Sequence, residues 1–256
     1  MWKRCWRTQA SLSSRRTPSH GPKPALSRRP GDPAATRRAP EKALGPGYAV
    51  GQWAAGLPPG VIATVFSYRP YVQTITLPAG GLCLVVDNAL AEPERWRALA
   101  AKHAAQFAVD PLAGYPVRRL PLPGPVLTAM HVFFSETFRE PLGFRRVVEG
   151  QGWLSLATAA PSAPSRASSS LPGQGTGVVS LCLFEDAALG GMLFPPSLFP
   201  GDEPPPKVEA RYNRLVAFDG ACWHAPDIAA PARLSDDPAK GRLTLDARFT
   251  CRRRLQ

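Results

Sequence analysis

The segment Gly241-Arg242-Leu243-Thr244-Leu245-Asp246-Ala247-Arg248-Phe249 alternates strictly between polar and apolar side chains. Successive side chains of an extended strand point to opposite faces, so Arg242, Thr244, Asp246 and Arg248 share one face and Leu243, Leu245, Ala247 and Phe249 the other. Such a stretch demands a strand with unlike environments on its two sides. A second stretch, Asn213-Arg214-Leu215-Val216-Ala217-Phe218-Asp219-Gly220-Ala221-Cys222-Trp223-His224, reads as a strand, a tight Asp-Gly turn and another strand ending on a histidine. Neighbouring strands thus offer an imidazole able to bind metal, His224, and an Arg-x-Thr pair, Arg242 and Thr244, able to hold a carboxylate.

The chain has 256 residues, 44% of them hydrophobic and 9% aromatic, enough for one sizeable core. No stretch approaches the roughly 18 consecutive apolar residues of a membrane-crossing helix, so a soluble body with no membrane partner is expected. The cysteines Cys5, Cys83, Cys182, Cys222 and Cys251 are scattered and form no Cys-x-x-Cys pair. Free thiols in a reducing cytoplasm are expected rather than a disulfide framework or a structural zinc site.

The net charge of +12 is unevenly spread: residues 1–46 carry eleven Lys or Arg against Asp32 and Glu41, and the remainder twenty against seventeen. Rich in Ser, Pro, Ala and Arg, residues 1–50 cannot bury enough apolar area to offset chain entropy, and are expected to be a disordered basic tail. An arm touching nucleic acid, an organelle-targeting peptide and a segment with no folded role all suit that composition; the last is favoured.

From about residue 60 to 256 the pattern is that of a folded domain. Val61–Tyr68, Tyr71–Leu77 and Leu82–Asp87 are β-rich runs, and Trp153–Thr158 and Val178–Phe184 are two more. Pro93 opens a helix with Trp96, Leu99, Ala100, His103 and Phe107 at helical spacing; a second helix is expected over Val126–Arg139. His103 and His131 fall on or beside those apolar stripes, as core histidines do. Residues 159–177 and 195–206, dominated by Ala, Pro, Ser and Gly, read as long loops. The Gly173-Gln174-Gly175-Thr176-Gly177 run lacks both the preceding strand and the following helix of a phosphate-binding turn. Gly-x-Ser-x-Gly, Gly-x-x-x-x-Gly-Lys-Ser/Thr and His-Glu-x-x-His motifs are absent from the sequence. Strands, then two helices, then more strands predict an α+β, mainly β domain with helices over one face of an antiparallel sandwich.

A set of landmarks in fixed order extends that expectation. Leu84-Val85-Val86-Asp87-Asn88 through Leu99-Ala100, then Tyr115-Pro116, Gly190-Gly191, Asn213-Arg214-Leu215-Val216, His224 and Gly241-Arg242-Leu243-Thr244 resemble those of an uncharacterised bacterial family. That family is related to the prolyl-hydroxylase-like Fe(II)/2-oxoglutarate-dependent oxygenases. The resemblance covers roughly residues 80 to 250. It implies a double-stranded β-helix, or jelly roll, with helices packed on one sheet, and Fe(II) and 2-oxoglutarate as cofactors. It further implies that His224 is the distal metal ligand, that Arg242 binds the far carboxylate of 2-oxoglutarate, and that Thr244 donates to that same carboxylate. Left to the residues alone, His224 as a core histidine and Arg242 on a solvated face remain open.

The sequence departs from that family in one respect. Its oxygenases hold iron with a His-x-Asp/Glu pair as well as the distal His, and here the four histidines read His20-Gly-Pro, His103-Ala-Ala, His131-Val-Phe and His224-Ala-Pro. The pair would fall shortly before Val178, where Ser169, Leu171 and Gln174 stand instead. Glu185 and Asp186, beyond that strand, are the nearest alternative carboxylates. The expected protein is therefore oxygenase-like with a degenerate iron site and no assigned catalytic residue. If active, it hydroxylates a small molecule or peptide while decarboxylating 2-oxoglutarate. A non-catalytic dicarboxylate-binding or protein-interaction module is the first alternative, and nucleic-acid contact through the tail the second.

Overall fold

The computed structural model describes residues 65–67, 70–77, 80–159, 169, 175–197, 204–228 and 230–253. All belong to the second of two compact units, Pro46–Gln256. The expected basic tail, the start of the first predicted strand and most of both predicted loops lie outside the described residues.

The elements follow in the order β1 (Gln73–Thr76), β2 (Leu82–Val86), α1 (Pro93–Lys102), β3 (Ala108–Val109), β4 (Val117–Pro121), α2 (Gly124–Thr137), β5 (Phe144–Ala157) and β6 (Gly175–Cys182). After these come β7 (Met192–Leu193), β8 (Lys207–Val208), β9 (Leu215–Asp219), β10 (Ala225–Pro226) and β11 (Leu243–Arg253). Eight strands form a sheet in the order β1-β2-β9-β6-β11-β5-β4-β3, and three form a second sheet, β10-β7-β8. Every pairing is antiparallel. The mainly β architecture with two helices is as expected.

Alternation along each central strand separates two cores. Leu243, Leu245, Ala247 and Phe249 of β11, Val179 and Leu181 of β6, and Leu215 and Ala217 of β9 face the helices. From that side Trp96 and Ala100 of α1 and Val126, Met130 and Phe134 of α2 pack down on them. Phe134 stacks on Phe249 with ring centroids 4.5 Å apart. Gly177 makes room for that ring, since a Cβ there would lie 2.2 Å from Phe134 Cζ. The end of the Gly-rich run, which belongs to β6, is thus a packing device.

The opposite face carries a smaller core. Cys83 and Val85 of β2, Val178 of β6 and Val216 and Phe218 of β9 meet Phe194 and Val208, which flank or belong to the second sheet. Phe194 and Phe218 meet edge to face at 5.0 Å. The second sheet therefore covers the side of the first that the helices leave bare.

Three expectations are corrected. The strand expected at Trp153–Thr158 begins at Phe144. Glu149-Gly150-Gln151-Gly152 looks like a break in the sequence, yet β11 pairs along it, and a Cβ on Gly150 would sit 2.7 Å from the Phe249 ring. The strand β4 was not expected at all. The Asp219-Gly220 turn makes no hairpin: β9 lies in the large sheet while β10 pairs with β7. His224 and Arg242 consequently approach from opposite sheets rather than neighbouring strands.

Polar contacts fix how β9 enters. Asn213, at φ 59°, donates to the Leu90 carbonyl and accepts from the Leu90 amide, both at 2.9 Å. Arg214 donates to both carboxylate oxygens of Asp87, at 2.6 and 3.0 Å.

Candidate functional site

Between the two sheets, on the face of β11 turned away from the helices, lies a cavity of about 640 Å³ including its open mouth. Arg242, Asp246 and Arg248 line it along β11, with Ser180 of β6, Trp153 of β5 and Arg119 of β4 beside them. Met192, His224 and Pro226 close it from the second sheet, and Tyr115 reaches in from the loop before β4. The polar face legible in the sequence is thus one wall of a ligand-sized space.

His224 is 8% exposed and its ring meets Phe218 edge to face at 4.8 Å. Its Nδ1 lies 2.9 Å from the Cys222 carbonyl oxygen. Burial pushes its pKa down to about 4, with the Cys222 hydrogen bond opposing and the Arg248 charge adding to the shift. The imidazole is therefore neutral near pH 7, with the proton assigned to Nδ1 by its carbonyl partner and Nε2 as the acceptor nitrogen.

Arg242 is 4% exposed. Its Nε donates to the Leu189 carbonyl and its Nη2 to the Gly191 carbonyl, both at 3.1 Å, and its guanidinium lies over Phe184. Gly190 and Gly191 let those carbonyls come this close to the second sheet. Gly190 adopts φ +83°, and a Cβ on it would fall 1.2 Å from the Asp227 carbonyl oxygen. Arg242 is thus a cross-tie between the sheets as well as part of the cavity wall. Thr244, 3% exposed, gives its hydroxyl to Asp246 Oδ2 at 2.9 Å, while Ser180 donates to Asp246 Oδ1 at 2.6 Å. The expected trio is brought to one region, but Arg242 and Thr244 already have partners within the protein.

Two further arginines line the cavity. Arg119 pairs through Nη1 with Asp110 and stacks over Trp153 at 4.7 Å; its Nε is buried without a hydrogen-bond partner. Arg248 makes no hydrogen bond or ion pair among the described residues. Much of its surface reaches solvent, yet desolvation by its neighbours and the charge of Arg119 hold its pKa below the usual arginine value. Tyr115 is pushed up by burial, with Asp246 adding to the shift. Sequence reasoning assigned no role to Arg119, Tyr115, Asp246 or Arg248. Asp246 and Arg248 were within reach, since alternation placed them on the face of Thr244; Arg119 lies on the unexpected strand β4.

The side chains described around the cavity do not by themselves supply the three ligands of a ferrous site. Among the described residues no three His, Cys, Asp or Glu side chains are grouped to hold a metal. Residues 160–174, where the oxygenase pair would fall, contain none of these residue types. The cavity offers His224 and Asp246, and both oxygens of Asp246 accept hydroxyl hydrogens. Three guanidiniums nearby oppose a dication. Glu185 and Asp186 are no substitute, because they pair with Arg97 at 2.5 Å and Arg233 at 2.6 Å.

A family of unknown function (DUF6445) matches residues 68–205 and 203–249 of the chain. No curated protein matches it. Among solved structures, one similar to it is a prolyl hydroxylase from Trichoplax adhaerens in complex with a hypoxia inducible factor oxygen degradation domain peptide fragment. They share 12% identity at a TM-score of 0.46, over 66% of this chain and 83% of that one. HygX from Streptomyces hygroscopicus, with nickel, 2-oxoglutarate and hygromycin B bound, shares 14% identity at 0.44, over 66% and 82%. A Pseudomonas putida prolyl-4-hydroxylase shares 18% identity at 0.43, over 76% and 98%.

Proposed function

The chain belongs to the family of unknown function DUF6445, and from that premise we propose that it is an oxygenase-like jelly roll whose cavity binds a small dicarboxylate of the 2-oxoglutarate type without an iron centre. The jelly-roll reading is supported by two antiparallel sheets packed face to face and by the neighbouring of strands distant in sequence, β2-β9-β6-β11. The resemblance in its landmarks supports the oxygenase-like ancestry.

One observation carries the ligand class. Arg119, Arg242 and Arg248 line the cavity with a single carboxylate, Asp246, and that carboxylate is already bonded by Ser180 and Thr244. A partly desolvated excess of positive charge is costly, and a dianion offsets it. Guanidinium forks suit carboxylates because two parallel N–H groups match two oxygens. Arg242 retains Nη1 for this purpose, and Thr244 and Ser180 hold Asp246 aside. These residues bind and orient; none is assigned a bond-breaking role.

No helix among the described residues is long and apolar enough to cross a membrane. Free Cys83, Cys182, Cys222 and Cys251 suit a reducing compartment, and the cytoplasm is the proposed location. The test of function is turnover: full-length protein supplied with Fe(II), 2-oxoglutarate and a reductant should consume no 2-oxoglutarate above the protein-free rate. Decarboxylation that disappears in His224→Ala would show an active iron enzyme and overturn the proposal.

A further inference from the structure

We propose that Arg119, Arg248 and Tyr115, which line one cavity, form an anion subsite that receives the carboxylate or phosphoryl group of a small metabolite. This rests on the ligand-binding reading above, and it assigns the ligand's charged group to Arg119 and Arg248 rather than to Arg242. Arg248 lies six positions beyond Arg242, about 20 Å along an extended strand.

The arginines of the cavity differ in what their donors already do. Arg242 spends Nε and Nη2 on the Leu189 and Gly191 carbonyls. Among the described residues Arg119 hydrogen-bonds through Nη1 alone, to Asp110, and its Nε is buried with no acceptor. Buried donors in folded proteins are nearly always paired, so an orphaned guanidinium N–H in a cavity wall marks a place for an acceptor. The Asp110 ion pair and the Trp153 ring also fix the plane of Arg119 before any ligand arrives.

Arg248 adds a second guanidinium with no acidic partner among the described residues, close enough to Arg119 for their charges to oppose each other. Two like charges that feel one another repel, and an oxyanion between them converts the repulsion into attraction. Tyr115 supplies a hydroxyl that burial keeps protonated and therefore able to donate. Asp110 is held by Arg119 Nη1 and Asp246 by Ser180 and Thr244, so neither carboxylate fills the position. The recognised chemistry is an oxyanion with two or three oxygens; a cation or an uncharged ligand leaves Arg248 unpaired and Arg119 Nε without an acceptor.

The test is calorimetric titration of the full-length protein, in a buffer containing a metal chelator, with 2-oxoglutarate, succinate and inorganic phosphate separately. Wild type is expected to bind at least one of them. Arg248→Gln should weaken that binding about ten- to a hundredfold, Arg248→Lys should fall between, and the exposed Arg145→Gln should leave it unchanged. Melting temperatures of the Arg248 variants should match wild type, and Arg119→Gln provides a second probe of the same subsite. Phosphate binding alone supports the subsite as phosphoryl-specific and overturns the dicarboxylate reading. Wild-type affinity in both Arg248→Gln and Arg119→Gln overturns the subsite while leaving the cavity reading standing. No binding of any of the three to wild type overturns both.

Discussion

Arg214 grips Asp87 with two donors at once, Nε to Oδ1 at 2.6 Å and Nη2 to Oδ2 at 3.0 Å. The pair joins the end of β2 to the start of β9, and the adjacent Asn213 locks onto the Leu90 backbone. The Leu-Val-Val-Asp and Asn-Arg landmarks are therefore two halves of one structural clasp.

The clasp has an acid limit. Hydrogen bonding from Arg214 is the main reason the Asp87 pKa lies below its ordinary 3.8. A carboxylate with a lowered native pKa contributes stability in full above about pH 4, and the contribution is lost as pH falls through the native value. Because the Asp87 side chain is 36% exposed, solvent screening limits the contribution to about 1 kcal/mol. Urea unfolding of Arg214→Gln should show that deficit at pH 7 and a shallower loss below pH 4.

His224 acts in a different pH window. Its native pKa of about 4 lies below the ordinary 6.5, so the unfolded chain binds the extra proton. Stability is full above about pH 6.5 and declines by about 1.4 kcal/mol per pH unit towards pH 4, roughly 3 kcal/mol in all. His224→Gln should flatten the stability profile between pH 6.5 and 4 in denaturant titrations, leaving the steeper acid limb below it.

The Arg242 cross-tie should outweigh any surface arginine. Arg242→Met leaves the Leu189 and Gly191 carbonyls without their buried charged donors and is expected to cost about 2–4 kcal/mol. Arg242→Lys should recover little, because a single ammonium cannot reproduce a fork that reaches two carbonyls. Thermal and urea unfolding of both variants measure this.

Packing between α2 and the large sheet makes a fourth prediction. Gly177→Ala puts a methyl group 2.2 Å from Phe134 Cζ and should destabilise by about 1–3 kcal/mol. Combining it with Phe134→Leu should cost less than the sum of the two single changes, as a double-mutant cycle would reveal.

What could be read in the sequence was local. The alternation from Arg242 to Phe249 predicted both faces of β11, and the helical spacing of Trp96 with Ala100 predicted one of the helices that cover one of them. What could not be read depended on partners distant in the chain. Gly150 and Gly152 look like breaks until β11 is laid beside them. The Asp219-Gly220 turn looks like a hairpin until β10 pairs with β7. Arg242 looks available for a ligand until the Leu189 and Gly191 carbonyls arrive from the second sheet. His224 was read as a metal ligand, and the structure places it in the cavity wall; Arg119, in the same wall, depends on β4, whose short mixed sequence has no clear alternation.

The most direct measurement is the dissociation constant of 2-oxoglutarate for the full-length protein, once in excess chelator and once with anaerobic Fe(II). Arginine-based binding predicts stoichiometric association with the same constant in both. Binding that appears only when Fe(II) is present would contradict it.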